Sequence, residues 1–154
     1  MDATNTWQVR RRQEESWPLR GAACVIEPDD VDRQSIASLL RHMGFSTHEA
    51  ESGIIGRLIV EQISLSVVVI NVMIKDVQAL RLIREMRDHA PGALIIALTS
   101  EPRALELSCV AGADFVLASP PCGEALCATI TQALEASHHY TPGAHSPTFE
   151  TTTP

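Results

Sequence analysis

The chain has 154 residues, 45% hydrophobic and 20% charged, with a formal net charge of −7. That length holds one ordinary domain with tails, the apolar fraction is that of a globular chain, and the acidic balance argues against a binder of nucleic-acid phosphates. No apolar run reaches the ~20 residues of a membrane span, and Arg10-Arg11-Arg12 followed by Gln13-Glu14-Glu15 is not a signal peptide, so a cytoplasmic protein is expected.

Residues 1–20 read as a flexible N-terminal extension, a basic cluster with Trp7 and Trp17 on either side, either a loose leader or a docking segment. A single domain is expected over 21–138. Its strands are read at Ala22–Ile26, Phe45–His48, Val67–Ile70, Leu94–Leu98 and Phe115–Leu117. The third and fourth runs are apolar without alternation, as in a parallel sheet covered on both faces. Helical stripes lie between them: Ile36, Leu39, Leu40 and Met43 in the first helix, and Leu80, Ile83 and Met86, flanked by Leu82, in the third. Gly53-x-x-Gly56 opens the second helix and is too short a pattern to mark a phosphate loop. Ser100 before Glu101-Pro102 predicts a capped helix start, and Leu126, Ile130 and Leu134 mark the last helix. The Thr/Pro-rich end is assigned to a disordered tail over 139–154. The four cysteines form no Cys-x-x-Cys pair, and the six histidines are scattered apart from His138-His139, so no metal site is expected.

Five βα units predict an α/β, doubly wound, flavodoxin-like sheet in the order 2-1-3-4-5, with right-handed crossovers. The working site of such a sheet lies at the C-terminal strand ends. Those ends read Glu27-Pro28-Asp29-Asp30, Asn71-Val72-Met73, Thr99-Ser100 and Ser119-Pro120-Pro121.

This layout resembles the receiver domain of bacterial response regulators across 22–136. The resemblance rests on the acidic cluster with Arg33 six residues past Glu27, on Leu98-Thr99-Ser100, and on Ala111-Gly112-Ala113-Asp114 leading into Leu117-Ala118-Ser119-Pro120. It implies an aspartate at the end of the third strand that takes a phosphoryl group, an acid pair after the first strand that holds Mg²⁺, a Lys before the proline, and a Thr/Ser that follows the phosphoryl group. Of these parts only Thr99 is present. Asn71 stands at the nucleophile position, Glu27 and Pro28 at the acid pair, Ser119 at the Lys and Val116 at the aromatic switch position. A neutral amide cannot carry an acyl phosphate, and proline offers no side-chain oxygen to a metal that demands oxygen ligands. The resemblance is therefore to a degenerate pseudo-receiver. Glu27 and Asp29 remain weak candidates for a metal, and Asp76 reads as a loop acid leading into the third helix.

A phosphorylation-independent signalling module acting by protein–protein contact is expected, with no enzymatic activity and no cofactor. Its faces would be the first helix, around Arg33, Ile36 and Leu40, and the helix 4–strand 5–helix 5 surface with Arg103, Glu106 and Glu124, which could also pair as a homodimer. No output domain is expected after residue 140. The partners would be a histidine kinase, a phosphotransfer protein or another regulator, and the alternative is a receiver that docks the upstream kinase without taking phosphate. A flavodoxin-like cofactor carrier is disfavoured, because the acidic Glu-Pro-Asp-Asp loop would repel a phosphate. The Ser119–Pro120 peptide is expected to be cis, with Ser119 aimed at Asn71 or Glu27.

Overall fold

The computed structural model describes residues 20–74 and 76–139, with side chains described as far as residue 136. Both expected tails lie outside the described residues, apart from Arg20 and His139. The elements alternate as β1 (Ala22–Ile26), α1 (Asp30–His42), β2 (Ser46–Ala50), α2 (Gly53–Gln62), β3 (Val67–Asn71), α3 (Ala79–His89), β4 (Leu94–Thr99), α4 (Arg103–Ala111), β5 (Phe115–Ala118) and α5 (Gly123–His139). The five strands form one parallel sheet in the order β2-β1-β3-β4-β5, the expected doubly wound arrangement.

Side-chain alternation along the central strands divides the core in two. Cys24, Ile26, Val68, Ile70, Ile95 and Ala97 face α2 and α3, where Ala79, Leu82, Ile83 and Met86 meet them. Ala23, Val25, Val67, Val69, Ile96 and Leu98 face the opposite layer, closed by Ile36, Ala37 and Leu40 of α1 and Leu126 and Ile130 of α5. These side chains are almost wholly withdrawn from solvent, each Val, Leu, Ile and Met among them contributing about 1.5–3 kcal/mol of apolar burial.

Several sequence readings shift. β2 runs over Ser46–Ala50, not Phe45–His48: its residues are polar for an edge strand, while Phe45 is a buried anchor just ahead of it, its N–H bound to Leu40 O at 3.0 Å. In α3 the buried stripe is Ala79, Leu82, Ile83 and Met86. It keeps the i, i+3, i+4, i+7 period but begins one residue before Leu80, which is only partly buried. Ser100 does not cap α4. That helix starts at Arg103 behind Pro102, with no side-chain cap, and Thr99 Oγ1 takes the Glu101 N–H at 3.0 Å instead.

The two glycines of α2 allow close approach. A Cβ on Gly56 would collide with Ile26 of β1, and one on Gly53 with Val77 and Ile74 of the β3–α3 connection. Gly53-x-x-Gly56 is therefore a packing device.

Candidate functional site

At the C-terminal end of β1 the chain turns through Pro28 and Asp29 into α1, which leaves Glu27 beneath the strand ends, only 3% exposed. A carboxylate this deep needs a donor for each oxygen. The backbone supplies one and the next strand the other. Glu27 Oε1 accepts the Asp29 N–H at 3.0 Å, and Oε2 accepts Asn71 Nδ2 at 2.8 Å. Asn71 also receives the Met73 N–H on Oδ1 at 2.8 Å, while Val72 N–H reaches Leu98 O of β4 at 2.9 Å. One neutral amide thus bridges the buried acid of β1 to the first turn of the β3–α3 connection.

The surrounding residues are committed elsewhere. Asp29 is the N-cap of α1, accepting the Asp32 N–H at 2.9 Å. Arg33, with only 11% of its side chain exposed, donates to Glu27 O at 3.0 Å, pairs with Asp30 and stands 3.6 Å from Glu49. Thr99 is buried, and its hydroxyl is held by Glu101, whose N–H it accepts and whose carbonyl it meets at 3.4 Å. The Ser119–Pro120 peptide is cis. Ser119 N–H donates to Thr99 O at 3.1 Å, which ties the start of the β5–α5 connection to the end of β4. Val116 lies opposite Ala97 and packs partly buried on the core.

The structure brings Glu27, Pro28, Asp29, Asn71, Thr99, Ser119 and Pro120 to one end of the sheet. The receiver resemblance implies a divalent metal here, and the donor set does not fit one. Each Glu27 oxygen already accepts a hydrogen bond, Pro28 has no side-chain oxygen, and Asp29 is used as a helix cap, which leaves one buried carboxylate where Mg²⁺ demands near-octahedral oxygen ligands. Among the described residues, no group of three or more His, Cys, Asp or Glu is arranged to hold a metal ion.

The two expected docking faces fare differently. Ile36 and Leu40 are 4% and 0% exposed and belong to the core, a correction that follows from their place on the inner stripe of α1. Arg33 is also largely enclosed by its carboxylate partners. Arg103, Glu106 and Glu124 are exposed as expected, and Leu105, Leu107, Val110 and Phe115 leave apolar surface in the same region, Val110 at 80%.

The role of Asp76 was not visible in the sequence beyond its being a loop acid. Its carboxylate receives the N–H groups of Gly53 and Ile54 at 3.0 and 2.9 Å, joining Ser52, which caps Ile55 N–H at 3.3 Å. The Ile54 N–H, then that of Gly53, holds the Asp76 carboxyl below the usual carboxylate range. Elsewhere, burial pushes the Cys24 thiol up to about 12, which makes it an inert core residue.

No family model matches the chain, and no curated protein matches it. Solved structures do. A CheY-like response regulator receiver domain from Methanospirillum hungatei JF-1 is 19% identical, with a TM-score of 0.72 over 79% of this chain and 98% of that one. A receiver domain protein from Clostridium thermocellum is 24% identical, with a TM-score of 0.68 over 77% and 97%. A Burkholderia pseudomallei response regulator, described with a phosphorylated aspartic acid, a calcium ion and citrate, is 22% identical over 79% and 76%, with a TM-score of 0.65. At these identities the likeness is one of fold: the described domain has the five-stranded receiver architecture.

Proposed function

We propose that this chain is a pseudo-receiver, a module of two-component-type signal transduction that acts through protein–protein contact without accepting phosphate. The observation that carries the reading is the Asn71 bridge. At the place where receivers present a carboxylate nucleophile, this chain has an amide whose donor binds Glu27 Oε2 and whose acceptor binds Met73 N–H. Such a group does not attack phosphorus, and it engages the buried acid of β1 with an amide donor in place of a second carboxylate for a metal. The contact surface that suits the reading is α4–β5–α5, where exposed Leu105, Leu107, Val110 and Phe115 lie among Arg103, Glu106 and Glu124. It fits a partner protein or a second copy. A variant of this reading, docking of an upstream histidine kinase or phosphotransfer protein without transfer, loses Ile36 and Leu40 as contacts, since both are in the core.

Incubating the chain with a small phosphodonor and Mg²⁺, followed by intact-mass spectrometry, tests the proposal. The expected result is no phosphoryl adduct; a stable adduct on the wild-type chain overturns it.

A further inference from the structure

α2 is built differently from its neighbour in the same layer. α3 buries Ala79, Leu82, Ile83 and Met86 and turns Arg81, Arg84 and Asp88 to solvent, the division expected of a helix lying on a sheet. In α2 the buried positions are Gly53 and Gly56, and the approach of Gly56 to Ile26 leaves no room for a side chain on that side. The rest of the helix is nevertheless apolar nearly all round. Ile55, Ile59 and Val60 pack partly buried against the core, while Ile54 and Leu58 stand 54% and 50% exposed. A helix apolar on every side is ordinarily covered on every side. Ile54 and Leu58 lie one turn apart, the i, i+4 ridge against which a second helix packs.

The charges around this ridge decide what kind of helix fits it. Glu51 stands just ahead of the Ser52 cap and Glu61 in the last turn of α2; both are exposed, and neither makes an ion pair among the described residues. Asp76 adds a carboxylate at the amino end through its bonds to the Gly53 and Ile54 N–H groups. Arg57 and Arg81 share one acid, Glu85, at 2.9 and 3.1 Å, so the positive charge lies on the flank toward α3 and the two ends of the ridge are negative. A second copy does not suit this pattern. Laid antiparallel it sets the Glu51 end against the Glu61 end, laid parallel it sets each acid against itself, and juxtaposed like charges oppose association.

We propose that the outer face of α2 docks a helix of a partner protein. Two apolar residues of that helix, one turn apart, meet Ile54 and Leu58, and a basic residue at each end meets Glu51 and Glu61. The surface is separate from α4–β5–α5, since α3 lies between α2 and α4, and the inference is independent of whether the Asn71 site takes phosphate.

The probe is a short stapled peptide helix with two leucines one turn apart and a lysine at each end. Its controls carry glutamate for both lysines, or serine for both leucines. Each is titrated into the full chain and followed in amide proton–nitrogen spectra. The expected result is a set of shifts centred on Ile54, Leu58 and Glu61 with the lysine–leucine peptide alone, weakened by added salt. Ile54→Ser combined with Leu58→Ser is expected to weaken binding about tenfold or more, and Glu51→Lys combined with Glu61→Lys several-fold at low salt. All four positions are exposed, so far-ultraviolet dichroism is expected to stay unchanged. No binding, equal binding of the glutamate peptide, or binding that survives both paired variants overturns the inference. Shifts centred on Leu105 and Val110 of α4 also overturn it and leave the pseudo-receiver reading standing. Amides of α2 that broaden with protein concentration before any peptide is added overturn it as well, since the face would then pair with a second copy.

Discussion

A carboxylate at position 71 would put two acids into the 2.8 Å contact that the Asn71 amide now makes with Glu27. Like charges so close cannot both ionise, and the Met73 N–H would remain the new group's one backbone donor. Restoring the nucleophile by Asn71→Asp is therefore expected to leave the protein unable to accept phosphate from a small donor with Mg²⁺ at a useful rate. Phosphoryl transfer depends on positioning and charge stabilisation, and each missing electrostatic donor costs about 10²–10³ in rate. The triple change Asn71→Asp, Pro28→Asp, Ser119→Lys is expected to do measurably better in intact-mass spectra. A single variant that labels as fast as the triple would mean that Asp29 leaves its capping role to complete a metal site. Arg87 is a second residue whose partners define its worth. It gives Nε and Nη2 to Gly112 O at 3.1 and 2.8 Å, Nη1 to Ala93 O at 2.8 Å, and Nη2 to Asp114, which in turn accepts the Ile95 N–H at 2.8 Å. Ala111-Gly112-Ala113-Asp114 is thus the far side of one hub tying α3 to the turn before β5. Arg87→Ala should lower stability by about 2–3 kcal/mol, the scale of a lost charged hydrogen bond, read from the urea midpoint. Lysine should recover little, because it lacks the guanidinium fork; full stability in either variant would remove the hub.

At the scale of elements, α2 shows how a local signal is completed by a distant residue. Ser52 caps it in the ordinary way, yet its first two amides go to Asp76, more than twenty residues on. The lowered pKa of Asp76 fixes the sign of the pH effect. A carboxyl that is more acidic folded than unfolded contributes stability above its ordinary value of 3.8, and that contribution disappears as pH falls through the folded value. Asp76→Asn should therefore flatten the acid limb of the stability curve and speed hydrogen exchange at Gly53 and Ile54; an unchanged acid limb would show that the contact carries no linkage. What the sequence made legible follows the same division between local and distant. β1, β3 and β4 begin where their apolar runs begin, because central parallel strands are buried on both faces. β2 was misplaced because an edge strand of Ser, Thr, His and Glu carries no apolar run, and Ser100 was misread because Thr99 already occupied the Glu101 amide. Strand ends located Glu27, Asn71, Thr99 and Ser119, since topology alone brings those positions together. The i, i+3, i+4, i+7 stripe already marked Ile36 and Leu40 as the inner face of α1, against their reading as contacts, whereas spacing could not disclose that Asp76 reaches α2, because that depends on which connection closes over which helix.

For the molecule as a whole, the strand-end face is held at every point where a receiver would need freedom to switch. Asn71 fixes the start of the β3–α3 connection to Glu27, Val72 ties it to β4, and Asp76 ties its far end to α2. Thr99 is engaged by Glu101 and lies beyond any bond to Asn71. At position 116 a valine, stiff at χ1, is packed against the core in place of a side chain large enough to move between two sites. A ligand shifts a two-state equilibrium only by its differential affinity for the two states, and the proposed pseudo-receiver offers neither a phosphoryl group nor a metal such a differential contact. The domain should therefore populate one conformation. Relaxation-dispersion measurements are expected to show no microsecond–millisecond exchange shared by Thr99, Val116 and α4, and amide spectra should be unchanged by a phosphodonor with Mg²⁺. Concerted exchange at Thr99 and Val116 would show that the switch outlived its trigger, and regulation would then have to enter from the α4–β5–α5 side, where Val110 and Phe115 are exposed.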